Sequence, residues 1–147
     1  MKRILFMMIA LLSSLIAVAI TPSMLRGKTY SGIPIYEPGS QYEKFSGLVD
    51  AKVTMRFKAS DKVEIKIQYF PTSTGADYFS YLTGFSKYLK PLDIKDASYR
   101  ISGSDLIVNY VFGGEKGIFE CTLVRDGEAI IFPDFANLGW NTILTLD

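Results

Sequence analysis

The chain carries 15 acidic side chains, 16 Lys and Arg, a single cysteine and no histidine in 147 residues. Without histidine there is no imidazole general base, no His-ligated metal and no Cys–His nucleophile. One cysteine, Cys121, can build neither a zinc cluster nor an intrachain disulfide. Carboxylates remain, and acid/base work across a bond needs two of them converging in environments that split their pKa values. The candidates are Asp93 with Asp96, Glu115 with Glu120, and Asp126 with Glu128. Each pair sits in or beside an expected turn, where acidic residues serve local hydrogen bonding and solvation. Gly84-Phe85-Ser86-Lys87 lacks the closing glycine of a nucleophile elbow, and Gly113-Gly114-Glu115-Lys116 has neither the spacing nor the hydroxyl of a phosphate loop. The expectation is a protein that is not an enzyme and needs no cofactor and no metal.

Two groupings suit binding instead. Tyr78, Tyr81, Phe85 and Tyr88 recur at three- and four-residue steps, the spacing of one helix face, and tyrosine hydroxyls favour the edge of an apolar pocket where a ligand can meet them. Lys52, Arg56, Lys58, Lys62 and Lys66 fall on the polar positions of a hairpin, so they project together and can meet an anionic surface. That row is also what a solvated sheet face looks like, since lysines discourage edge-to-edge association. Cys121 alternates in phase with Phe119 and Leu123, which places its thiol among apolar side chains. Trp140, after Asn137-Leu138-Gly139, is expected to close one end of the core.

The elements that position these residues are mostly strands. Val53, Met55 and Phe57 alternate with basic and hydroxyl residues; after Ala59-Ser60-Asp61, Val63, Ile65, Ile67 and Tyr69 do the same. This is an antiparallel hairpin with one wet face. Tyr99 and Ile101, then Leu106 to Phe112, then Gly117 to Arg125, then Ala129 to Phe132 continue the pattern across Gly103-Ser104, Gly113-Gly114 and Asp126-Gly127. A last strand runs from Trp140 to Leu146. The fold class is therefore mainly β: an antiparallel meander, barrel or sandwich, of about seven or eight strands at the 8 to 12-residue spacing of such folds. One helix is inserted near 77–90, with Thr74 or Asp77 as cap and Pro91 as stop.

Met1-Lys2-Arg3 and the apolar run from Ile4 to Ile20 read as a signal peptide over 1–19, ended by Ala17-Val18-Ala19, or as an uncleaved N-terminal anchor. Residues 20–44 carry Pro22, Pro34 and Pro38 and read as a spacer with an edge strand around Tyr30 to Tyr36; residues 45–147 form the single β domain. Everything after the leader is expected outside the cytoplasm, in a periplasm, a cell envelope or the extracellular space, touching membrane only through the N-terminal segment. A formal net charge of +1, with Lys2 and Arg3 among the basic residues, gives no reason to expect a nucleic-acid partner.

Tyr99-Arg100-Ile101-Ser102-Gly103-Ser104-Asp105-Leu106-Ile107-Val108 resembles the strand-turn-strand unit of small bacterial exported lipocalin-like barrels. The resemblance implies a β-barrel, and neither a ligand nor a functional residue is carried over from it, because the sequence has no G-x-W near its first strand. From the residues themselves the expected function is binding of a small hydrophobic or amphipathic molecule under the aromatic helix. The alternative is a pocketless interaction module that docks an envelope protein or an anionic surface through the lysine-rich hairpin.

Overall fold

The computed structural model describes residues 19–36, 38–39, 49–71, 91–135 and 140–147. The expected leader up to residue 18 and the expected helix with Tyr78, Tyr81, Phe85 and Tyr88 lie outside the described residues.

Among the described residues nine strands follow one short α-helix: α1 (Pro22–Leu25), β1 (Thr29–Gly32), β2 (Ile35–Tyr36), β3 (Val49–Phe57), β4 (Lys62–Pro71), β5 (Leu92–Ser102), β6 (Asp105–Phe112), β7 (Glu115–Val124), β8 (Ala129–Phe132) and β9 (Trp140–Leu146). Every pairing is antiparallel. The order β1-β3-β4-β5-β6-β7-β8-β9 returns to β1, and β2 continues the first strand along β9. The result is a closed antiparallel barrel of eight staves, a size whose interior side chains just fill.

The 53–69 hairpin has the register that its alternation dictates, with Phe57 opposite Val63 and Val53 opposite Ile67. Val53, Met55, Phe57, Val63, Ile65 and Ile67 are almost wholly buried, whereas Lys52, Arg56 and Lys66 stand outside. Cys121 lies inside between Phe119 and Leu123, as its phase requires. Burial of such side chains contributes about 25 cal/mol per Å² of apolar surface removed from water.

β1 differs from the expected edge strand. It pairs with β3 through Tyr30 and Met55 and with β9 through Tyr30 and Leu146, so it closes the barrel. Local sequence cannot show this, because β9 lies at the far end of the chain. A Cβ at Gly32 would run into the carbonyl of Ile143, so only glycine allows this close approach. The spacer also holds a helical turn where none was expected: Pro22 sits at its first position, where a missing N–H costs nothing.

That turn seals the lower end of the barrel. Leu25 is fully buried, the Gly27 amide donates to the Phe57 carbonyl at 2.8 Å, and the Tyr30 hydroxyl donates to the Gly127 carbonyl at 2.6 Å. Tyr30, Phe57 and Tyr99 meet edge to face beneath it. Outside, Arg26 grips Asp61 of the β3–β4 turn through two hydrogen bonds of 2.7 and 3.0 Å, which holds the Asp61 carboxyl below its ordinary range.

The upper end is built differently. β5 begins at Leu92, well before the expected start near residue 97, and it carries a bulge: Val63 faces Ala97 but Ile65 faces Ile94, so Lys95 and Asp96 together oppose Glu64 and both point outward. Bulges bend a strand and raise its twist. Above the bulge β5 leaves β6, the last described pair being Ser98 with Asn109. β7 likewise pairs with β8 only over Thr122–Val124. Residues 110–120 of β6 and β7 therefore rise as a two-stranded ribbon with no described strand on either flank.

Candidate functional site

Ribbon and upper wall together present a continuous aromatic lining. Tyr69 meets Trp140 at 6.1 Å between centroids, Trp140 meets Phe135 at 5.5 Å, Phe135 meets Phe132 at 5.7 Å, Phe132 meets Phe119 at 4.9 Å, and Phe119 stacks on Tyr110 at 4.6 Å. Six rings from β4, β6, β7, β8, β9 and the segment after β8 thus cross the upper end. Trp140 is there as expected, only 3% exposed. Tyr69, Tyr110 and Phe135 are half-buried, leaving ring surface that a ligand can cover. Tyr110 is held by its cross-strand neighbour: Gly117 faces it, and a Cβ there would strike the Tyr110 ring. The ring lies over the bare glycine backbone. The ribbon can turn back on itself because Gly113 and Gly114 take positive φ values of 59° and 84°, open to glycine at little cost.

A cleft flanks the ribbon on each side. Between the ribbon and β5 there is a space of about 680 Å³, lined by Ile94, Asp96 and Ser98 on one side and by Asn109, Tyr110, Lys116 and Ile118 on the other. Its volume lies within the range of about 300–1,000 Å³ usual for small-molecule sites. Between the ribbon and Pro133–Phe135 a smaller space of about 310 Å³ reaches Phe119. Tyr110 borders both. Below them the barrel is filled, with Leu106, Val108, Ile130 and Leu144 wholly buried.

Among the described residues two buried hydroxyls have no hydrogen-bond partner, Tyr99 at the lower end and Thr142 at the upper. Thr142, opposite Phe132 on β9, is 1% exposed, and its hydroxyl has no hydrogen-bond partner among the described residues. A buried hydroxyl without a partner is costly, and native structures tolerate few of them.

The lysine-rich hairpin is placed as expected, on the outer face, but it is not a free basic surface. Arg56 pairs with Glu64 at 2.6 Å, Lys58 with Asp96 at 2.9 Å, and Lys62 donates to the Ser98 hydroxyl at 3.0 Å. Lys66 stands opposite Asp93, which itself binds Lys95 at 2.8 Å. Of the five, Lys52 alone has only uncharged Gln68 as its cross-strand neighbour on β4. The acids respond: Lys95 holds the Asp93 carboxyl below its ordinary range and Lys58 does the same for Asp96. Glu64 is raised by its partial burial, yet Arg56 and Lys95 bring it below the usual value. The candidate pair Asp93 and Asp96 is thus a set of ion-paired carboxylates with depressed pKa values, the reverse of a general acid.

Burial pushes the Cys121 thiol up to about 12, which makes it inert as a nucleophile at neutral pH. Among the described residues no group of three or more His, Cys, Asp or Glu side chains could hold a metal ion, and no helix is long and apolar enough to cross a membrane. No family model and no curated protein matches the sequence.

Tyr78, Tyr81, Phe85 and Tyr88 cannot be placed against this lining, being outside the described residues. The alternation had put Tyr110 and Phe119 on the inner face of their strands; their union with Phe132, Phe135, Trp140 and Tyr69 has no local signal, because it depends on register between strands that are far apart in sequence.

Proposed function

We propose that this chain is a non-catalytic, exported binding protein that takes a small hydrophobic or amphipathic molecule at the upper end of its barrel. The observation that carries the reading is the unbroken row of six aromatic rings at one end of a barrel whose other end is sealed by Leu25 and Tyr30. Leu106, Val108, Ile130 and Leu144 fill the interior below, so a ligand is accommodated where the wall parts around the β6–β7 ribbon. Binding is driven by desolvation of apolar ligand surface against Tyr69, Tyr110 and Phe135, and tyrosine hydroxyls orient it. The Thr142 hydroxyl supports the same reading by its place: it lies opposite Phe132 of the aromatic row, without a partner among the described residues, where the polar group of a ligand can meet it.

Docking through the lysine-rich hairpin draws less support, because Glu64, Asp93 and Asp96 already compensate most of that row. The test of the pocket uses the chain's one tryptophan. Titration of the full-length chain with 1-decanol should give a saturable change in Trp140 emission at one equivalent. Phe135→Ala, which opens the middle of the aromatic row, should weaken it several-fold. An emission that does not respond to the alcohol overturns the reading.

A further inference from the structure

We infer that the cleft between β5 and the β6–β7 ribbon is the headgroup subsite of this ligand, and that the headgroup is a single anion. The inference rests on the proposed pocket and adds the charge of what enters it.

The two walls of the cleft are electrostatically unlike. On the β5 side the charges are already matched: Asp93 is bound to Lys95, Lys95 also reaches Glu64 at 3.2 Å, and Asp96 is bound to Lys58. Ser98 accepts from Lys62. A cationic ligand entering here would have to displace a lysine from one of these acids. On the ribbon side the side chains of Lys116 and Asn109 line the same cleft and make no side-chain hydrogen bond or ion pair among the described residues. An ammonium with three free donors beside an amide with two more is a receptor for an anion, and hydrogen bonds from such a donor to an ionised acceptor are about twice as strong as neutral ones. Ile94 and Tyr110 connect the cleft to the inner face, Ile94 being 4% exposed and Tyr110 stacked on Phe119. Tyr110 borders both clefts, so an apolar chain laid against its ring can place its head beside Lys116 and Asn109. The β5–β6 pairing ends at Ser98 and Asn109, next to the bulge at Lys95–Asp96 on the β4 side of the same strand, and the subsite lies where that pairing ends.

The probes are decanoate, 1-decanol and decyltrimethylammonium, titrated calorimetrically into the full-length chain. Decanoate should bind about tenfold more tightly than decanol, the equivalent of one charge-assisted hydrogen bond. Lys116→Gln should remove that advantage and leave decanol unchanged, Lys116→Arg should restore it, and Lys52→Gln, an exposed lysine of β3 that does not line the cleft, should have no effect. Equal binding of decanoate and decanol, or equal losses in Lys116→Gln and Lys52→Gln, would overturn the anionic subsite while leaving the apolar pocket standing. Tighter binding of decyltrimethylammonium would reverse its sign. Absence of binding by all three would overturn the pocket and the subsite together.

Discussion

The Tyr110 ring lies across the backbone of Gly117, its partner on β7, and stacks on Phe119 two residues further along. A residue with no side chain is what lets the ring fold flat onto the ribbon and border both clefts. Gly117→Ala therefore forces the ring off its seat. The expected cost is about 1–3 kcal/mol, that of overpacking a filled site. In the double variant Gly117→Ala with Tyr110→Ala the clash is gone, so chemical denaturation should find the two changes strongly non-additive, with a coupling of about 1 kcal/mol or more.

Thr142→Val keeps the shape of a buried residue and removes a hydroxyl that has no partner among the described residues. Its expected effect is stabilisation of about 1 kcal/mol, read as a higher denaturation midpoint at unchanged slope. If the hydroxyl serves the ligand, the same variant binds decanol more weakly, so stability and affinity should move in opposite directions.

Cys121 sets an alkaline limit. Its thiol is held up to about 12 in the folded chain against an ordinary value of 9.0. A group raised on folding contributes stability that is complete below its unfolded pKa and is lost as the pH climbs towards the folded one. Wild-type stability should therefore fall between pH 9 and 12 relative to Cys121→Val, which lacks the titrating group, and the two curves should run parallel below pH 8. Parallel curves throughout would mean that the thiol is not buried.

The ribbon should open independently of the barrel. Two-stranded hairpins are marginally stable when nothing packs on their edges, and β6 has no described partner on its β5 side above Asn109. Native-state hydrogen exchange should find the amides of Val111 and Phe112 exchanging about two orders of magnitude faster than those of Leu106 and Val108 in the same strand. A saturating ligand should slow the ribbon amides selectively.

Strand pairing by hairpins was legible in the sequence because it is local. The period-two patterns of 53–57 and 63–69 fix both faces of β3 and β4, and the Gly113-Gly114 pair marks the ribbon tip. The bulge was not legible: Lys95-Asp96 places two polar residues in succession, which hides the first half of β5 by breaking the alternation that announces a strand. Asp93 and Asp96 look like turn acids for the same reason, and the compensation of the lysine row depends on their lying in β5. β1 reads as an edge because Pro22, Pro34 and Pro38 surround it and prolines are typical of edges; its second partner, β9, is joined to it only by barrel closure. The aromatic row was divided in the same way. Each ring falls on an apolar strand position or in a loop, and only the register from β4 round to β9 brings the six together.

If the upper end of this barrel holds a small molecule, native mass spectrometry of the full-length chain should detect it. Protein purified from its own source and from a heterologous host should carry a reproducible additional mass of a few hundred daltons in at least the first preparation, diminished in Phe135→Ala. A bare chain mass in both preparations, unchanged after incubation with decanoate, would contradict the account.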